Sequence, residues 1–150
     1  MCKLFVMTSP MNHSEIVEYF EQNNYFGAKK ENVFFFEQAV VPAVDENGKI
    51  LMEEAGKMVV APNGNGALFE AIRTNKDVQK GLKGVEYVHV TGIDNVLNRI
   101  LDPVFLGYVV KSDLHAGMKG CVKKGVKESV GVVVKKNNKY AICEYSELTD

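Results

Sequence analysis

The stretch APNGNGALFEA, residues 61–71, lies between the apolar run of Met58, Val59 and Val60 and an apolar helical stripe. Gly64 and Gly66 alternate with Asn63 and Asn65, so the backbone is free to take positive φ and to turn its N–H groups toward a ligand with no Cβ in the way. Behind the glycines, Ala67, Leu68, Ala71 and Ile72 fall at helical spacing, and the start of a helix adds unpaired N–H groups at the same spot. A strand end, a glycine turn and a helix start together predict a donor-rich nest within an α/β fold. Most such turns merely cap a helix, so the pattern marks where a ligand would sit without naming one.

Working outward toward the N-terminus, residues 3–7 (KLFVM) are a short apolar run that fits a buried strand. A domain rarely begins inside its own interior, so this start predicts that further sequence precedes it. Asn12 followed by Glu15 has the spacing of a capping box, and Ile16 with Phe20 gives the next helix an inner face. Residues 33–36 form the next apolar run, followed by Gln38 and by Val40, Val41 and Pro42, where proline ends regular pairing. DENG at residues 45–48 predicts a hairpin turn into residues 49–52, and residues 57–60 lead into the glycine segment.

Toward the C-terminus, Gly81 and Gly84 predict a loop, and residues 86–92 (EYVHVTG) a strand of β-branched and aromatic residues ending just before Asp94. Ligands of open α/β sheets bind beyond the carboxyl ends of strands, and a carboxylate there suits magnesium, which takes one or two protein carboxylates and completes its shell with phosphate oxygens and water. An ordinary turn aspartate fits the same spacing. Asp102 and Pro103 stand in the order of an N-cap and a first-turn proline, with Phe105 and Val109 one turn apart. Residues 130–135 and 139–145 predict a second hairpin, with Asn137 and Asn138 supplying positive φ at its turn. Strands alternating with helices, with hairpins at the edges, predict a mixed sheet covered by helices.

Composition narrows the function classes. The chain has 150 residues, 46% hydrophobic and 25% charged, enough for one domain with a substantial core. Eighteen basic against nineteen acidic residues leave a formal charge of -1, so no global field draws it to nucleic acid or to an anionic membrane. Cys2, Cys121 and Cys143 are odd in number and lack metal or CxxC spacing, and His13, His89 and His115 are scattered; neither a disulfide frame nor a zinc site is indicated. The expectation is a soluble cytoplasmic protein in a reducing compartment, with no membrane span and no leader peptide.

Taken in order, several motifs resemble one family, the eukaryotic UDP-N-acetylglucosamine pyrophosphorylases within the wider UDP-sugar pyrophosphorylase group. They are MTS at residues 7–9, YFG at 25–27, KKENV at 29–33, Gln38 two residues past an aromatic run, and the APNGNG segment. VTGIDN at 90–95, the Asp102-Pro103 pair, VGVV at 130–133 and EYSE at 144–147 complete the set, which covers essentially the whole chain. Each is weak singly; their order is specific. The resemblance implies a Rossmann-like mixed sheet with flanking helices, of the nucleotide-diphospho-sugar transferase type. It implies an enzyme that joins UTP to N-acetylglucosamine 1-phosphate, giving UDP-N-acetylglucosamine and pyrophosphate with magnesium. Carried over by position, it makes Gln38 and the backbone of Gly64 readers of the uracil edge, since a glutamine amide offers both a donor and an acceptor. Asn65 would contact the acetamido sugar, Gly131 would let the hairpin backbone approach the sugar, Glu144 would accept from sugar hydroxyls, and Asp94 would hold magnesium, all around one cleft. Tyr140, Ile142 and Glu144 are expected on one strand face, where a carboxylate is costly unless a ligand or polar group satisfies it.

Two departures qualify the resemblance. The family's glycine-rich nucleotide loop, of the form L-x-G-G-x-G-T-R-L-G, and its distal lysine are not found in these residues. Residues 1–150 are therefore expected to be the central part of a catalytic nucleotidyltransferase domain, inactive in isolation, because that loop and cation would supply much of the charge stabilisation. The alternatives are a catalytically silent α/β module retaining part of a nucleotide-sugar cleft, or a UDP-glucose or UDP-galactosamine pyrophosphorylase.

Overall fold

The structure, a computed structural model, describes residues 2–125 and 128–148. It divides into two compact units, residues 1–88 and 89–150.

In the first unit, β1 (Leu4–Thr8) runs into α1 (His13–Gln22) and returns as β2 (Val33–Glu37), parallel to β1 with Leu4 opposite Val33 and Thr8 opposite Glu37. This is the expected strand-helix-strand unit. Phe20 on α1 meets Phe35 on β2 edge-to-face, with centroids 5.0 Å apart and the planes at 83°, a favoured geometry for two ring quadrupoles. The capping box does not form. Asn12 precedes α1, but its Oδ1 accepts from the N–H and Oγ of Ser9 at 2.8 and 3.1 Å instead of from the helix; the turn after β1 competes for the same side chain.

Next come β3 (Val40–Pro42), β4 (Met52–Glu54), β5 (Lys57–Met58) and β6 (Val60–Pro62). β3 pairs antiparallel with β6 and β4 with β5. The predicted turn at residues 45–48 is present: Asp45 Oδ1 accepts the N–H groups of Asn47 and Lys49, both at 2.9 Å, and Gly48 takes φ 79°. Two helices, α2 (Ala67–Thr74) and α3 (Lys76–Leu82), follow, α3 capped by Asn75, whose Oδ1 accepts from Asp77 and Val78. The core is Phe36, Ala71 and Val78, with Phe5, Met7, Leu68, Ile72 and Leu82 packed around it. Gly81 does not mark a loop. It is buried within α3, where an added Cβ would lie 2.8 Å from Phe5 and 3.0 Å from Phe34; this glycine serves close packing of a helix on a strand pair.

In the second unit, α4 (Pro103–Lys111) begins as expected: Asp102 accepts from Val104 N at 3.1 Å, and Pro103 occupies the first turn. Phe105 and Val109 share the half-buried face, where Val109 Cγ2 closes on Gly117. β7 (Val132–Lys136) and β8 (Lys139–Cys143) form the antiparallel hairpin, with Asn137 and Asn138 at φ 51° and 62°. Residues 86–92 are not a strand. Their β-branched composition suits a ladder, but none of the described strands pairs with them, and an extended segment gains its backbone hydrogen bonds only from a neighbour. Parallel and antiparallel pairs therefore coexist, as a mixed α/β fold requires, but in two-stranded pieces instead of one continuous sheet. No helix among the described residues is long and apolar enough to cross a membrane.

Candidate functional site

On the first unit, the β3–β6 register sets Val40 opposite Pro62, and a bond from Asn63 N to the Ala39 carbonyl at 3.0 Å continues the ladder. Gln38 and Gly64 are the next residues of the chain on either side of that bond, beyond the end of the ladder. The ladder thus draws the chain just after Gln38 toward the chain just before Gly64. Gly64 takes φ 78° with nothing within 4 Å of a notional Cβ, so glycine is required there by the backbone and not by crowding.

The glycine turn spends some of the donors expected of it. The N–H groups of Ala67, Leu68 and Phe69 go to the carbonyls of Gly64, Asn65 and Gly66 at 3.1, 3.2 and 3.3 Å. The first turn of α2 is therefore satisfied internally. The N–H groups of Gly64, Asn65 and Gly66 have no partner among the described residues, and both Gly64 and Asn65 are exposed. The nest lies one residue-triplet earlier than the helix itself.

Gln38 is held by its backbone: its N–H donates to the Thr8 carbonyl at 2.8 Å. Its side-chain Oε1 is buried and receives no hydrogen bond among the described residues. An acceptor left in that state costs about 1–3 kcal/mol, a cost that an incoming N–H donor would remove. Gln38 also lines a groove of about 390 Å³ with Pro10, Ala67, Ala71 and two carboxylates, Glu37 and Glu70.

On the second unit, Gly131 and Glu144 are brought together. A Cβ on Gly131 would stand 3.0 Å from Ile142 Cγ2, 3.4 Å from the Cys143 carbonyl and 3.5 Å from Glu144 Oε2, so the hairpin leaves just enough room for glycine. Glu144, however, is not a strand residue. β8 stops at Cys143, and Glu144 precedes the 3₁₀ turn Tyr145–Glu147, where Glu147 Oε2 accepts the Glu144 N–H at 3.0 Å. The face expected to bury it is open: Tyr140 and Ile142 are exposed, Tyr140 at 82%. Glu144 is itself exposed, and its side chain accepts the backbone N–H of Glu147 in a reciprocal capping box, so a carboxylate here carries no desolvation cost.

Asp94 sits in a turn, not at a strand end, and is exposed. The segment around it is a loop folded on itself: Leu101 N donates to His89 Nδ1 at 2.8 Å, Asn98 Nδ2 donates to Thr91 Oγ1, and Val96 N donates to the Asp94 carbonyl at 3.2 Å. Among the described residues no group of three or more His, Cys, Asp or Glu side chains could enclose a metal ion. A single open carboxylate suits a magnesium ion that completes its shell with phosphate oxygens and water. Sequence reasoning missed the Thr8–His13 pair beside Gln38, with Thr8 Oγ1 and His13 Nδ1 2.8 Å apart; a hydroxyl and an imidazole five residues apart gave no motif to find.

Residues 2–150 match the family of UTP–glucose-1-phosphate uridylyltransferases. The chain is 38% identical over 148 residues to the UDP-N-acetylglucosamine pyrophosphorylase of Saccharomyces cerevisiae, a match over 97% of this chain and 31% of the yeast protein. It is 38% identical over 148 residues to the human UDP-N-acetylhexosamine pyrophosphorylase-like protein 1, over 97% of this chain and 29% of that protein. The crystal structure of the uridine diphosphate N-acetylglucosamine pyrophosphorylase from Trypanosoma brucei, in complex with inhibitor, superposes with a TM-score of 0.87 and 42% identity, over 97% of this chain and 30% of that one. The chain thus spans about a third of the length of these relatives. The α/β architecture and a match running from Cys2 to the last residue agree: this chain belongs to the UTP–glucose-1-phosphate uridylyltransferase family.

Proposed function

We propose that these residues form the central, nucleotide- and sugar-recognising part of a uridylyltransferase that joins UTP and N-acetylglucosamine 1-phosphate into UDP-N-acetylglucosamine and pyrophosphate. The observation that carries the reading is the buried Gln38 side-chain oxygen, which receives no hydrogen bond among the described residues and stands two positions before the β3–β6 ladder that leads into the Gly64 turn. Uracil presents an N–H between two carbonyls, and an amide oxygen with a neighbouring backbone donor complements that edge. The names of the similar proteins support the acetamido sugar and amino-sugar metabolism.

In this reading Gln38 and the Gly64 backbone fix the uracil, and Asn65 meets the acetamido group. Gly131 keeps the hairpin close to the sugar ring, and Glu144 accepts from its hydroxyls. Asp94 would hold magnesium, which when bound neutralises charge on the phosphates. The sugar phosphate attacks the α-phosphorus of UTP in line and pyrophosphate leaves. Catalysis is then positioning and charge neutralisation, with no covalent enzyme intermediate. A cytoplasmic site of action belongs to the same proposal.

The test is a chimera in which these 150 residues replace the matching segment of the yeast relative. Pyrophosphate release from UTP and N-acetylglucosamine 1-phosphate is expected from the chimera and not from the 150 residues alone, which contain no glycine-rich nucleotide loop. A folded but inactive chimera refutes the catalytic reading in favour of a silent binding module. Preference for glucose 1-phosphate refutes the sugar assignment.

A further inference from the structure

Thr8, 2% exposed at the end of β1, makes two contacts to β2 and the residue that follows it, and a third to α1. Its Oγ1 donates to the Phe36 carbonyl at 3.2 Å, its own carbonyl accepts the Gln38 N–H at 2.8 Å, and its Oγ1 lies 2.8 Å from His13 Nδ1. A hydroxyl has one proton and two lone pairs. The Phe36 carbonyl can only accept, so it takes the Thr8 proton, and the contact with His13 requires the imidazole to be the donor. Glu37 Oε1, 3.6 Å from the same nitrogen, acts in the same direction, because a carboxylate favours a proton on Nδ1 over a lone pair.

We propose that His13 is a positioning residue for Gln38: held as the Nδ1–H tautomer, it fixes the Thr8 side chain, and Thr8 in turn clamps the backbone on both sides of Glu37 so that Gln38 is presented in one place. The consequence for nucleotide binding rests on the uracil-reading role proposed above; the clamp itself does not. The His13 ring nitrogen Nε2 is left as the free acceptor of the neutral ring. His13 stands in the first turn of α1, so the helix that follows β1 is coupled to the end of β2.

Three measurements, two on the 150-residue chain and one on the chimera, test this. Nitrogen-15 shifts of the unmutated protein should show His13 with a protonated Nδ1 and an unprotonated Nε2 at neutral-ring pH. The reverse tautomer overturns the proposal without any variant. Second, in His13→Ala the Gln38 amide should exchange with solvent about tenfold faster relative to the β1–β2 ladder amides, the scale of one lost hydrogen bond. His13→Asn, whose amide nitrogen is as many bonds from Cα as Nδ1, should restore most of the protection. Equal acceleration of every amide in the unit means His13 only stabilises the fold, and no acceleration means there is no clamp; either overturns it. Third, UTP titrated into the chimera with the yeast segments should be bound severalfold more weakly after His13→Ala, with affinity recovered by His13→Asn and weakened at least as much by Gln38→Ala. UTP affinity of the chimera unchanged by Gln38→Ala refutes the assignment of Gln38 to uracil, while the first two measurements still decide the clamp.

Discussion

Replacing Gly81 with alanine tests how α3 is seated on the strands that end at Thr8 and Glu37. The new Cβ would meet Phe5 Cε1 at 2.8 Å and both Phe5 Cζ and Phe34 Cε1 at 3.0 Å. Contact between carbon atoms is comfortable only at about 3.5–4.0 Å. The two rings are stacked on each other, with centroids 4.8 Å apart and 14° between their planes, so neither gives way without moving the other. The Gly81 carbonyl also accepts from Lys3 Nζ at 2.5 Å, which ties the helix end to the start of the chain. Overpacking of this kind costs about 1–3 kcal/mol, and alanine returns about 1 kcal/mol through its helix propensity. The net loss is about 1 kcal/mol, roughly a fivefold drop in the folded-to-unfolded ratio. Gly107, in the middle of α4, is the control: it is exposed with nothing within 4 Å of an added Cβ, so Gly107→Ala should stabilise by about 0.5–1 kcal/mol. Urea unfolding followed residue by residue by NMR reads α3 and α4 separately. A Gly81→Ala variant whose α3 is more resistant to urea than the parent refutes the packing argument.

In the chimera, Asp94→Asn should lower kcat by about 10²-fold or more with an unchanged unfolding midpoint, by analogy with loss of other preorganised charge; parent-like rate and magnesium dependence would return Asp94 to an ordinary turn residue. Glu144→Ala should reduce kcat/KM for N-acetylglucosamine 1-phosphate by about tenfold to a hundredfold, the worth of a charged hydrogen bond, leaving that for UTP nearly unchanged, and equal losses for both substrates would indicate collapse of the turn Tyr145–Glu147. The Asp102 carboxylate is held below the usual range first by the hydrogen bond from Lys119 at 2.5 Å and also by the Val104 N–H. A lowered folded-state pKa contributes stability that is present above the ordinary aspartate value and lost as pH falls through the folded one. Exchange protection at the start of α4 should therefore hold at neutral pH and decline only below about pH 4, and Asp102→Asn should abolish that pH dependence; a decline beginning near neutrality would contradict the assignment.

Local signals made much of the fold legible in the sequence. The parallel pair β1 and β2, helix α2 over Ala67–Thr74, the Asp102-Pro103 start of α4 and the Asn137-Asn138 hairpin each follow from residues close together in the chain. Caps, fixed φ and alternating apolar side chains act over a few residues, so their effect is readable where they stand. The same reasoning failed where a distant partner decides. Residues 86–92 have strand composition but no ladder among the described residues, and Gly81 is a packing residue and not a loop marker because of Phe5 and Phe34; Asn12 serves Ser9 instead of α1 because two local bonds compete for one side chain.

The candidate site divides in the same way. The sequence alone determined that a flexible glycine turn precedes a helix at residues 61–74, because glycine and the helical stripe carry their own conformational preferences. Tertiary structure alone decided that Asn63 bonds Ala39 beside Gln38, that Gly131 lies against Glu144, and that Thr8 binds His13. Register and side-chain contact are set by the simultaneous pairing of whole strands, a balance over many residues that no single position records.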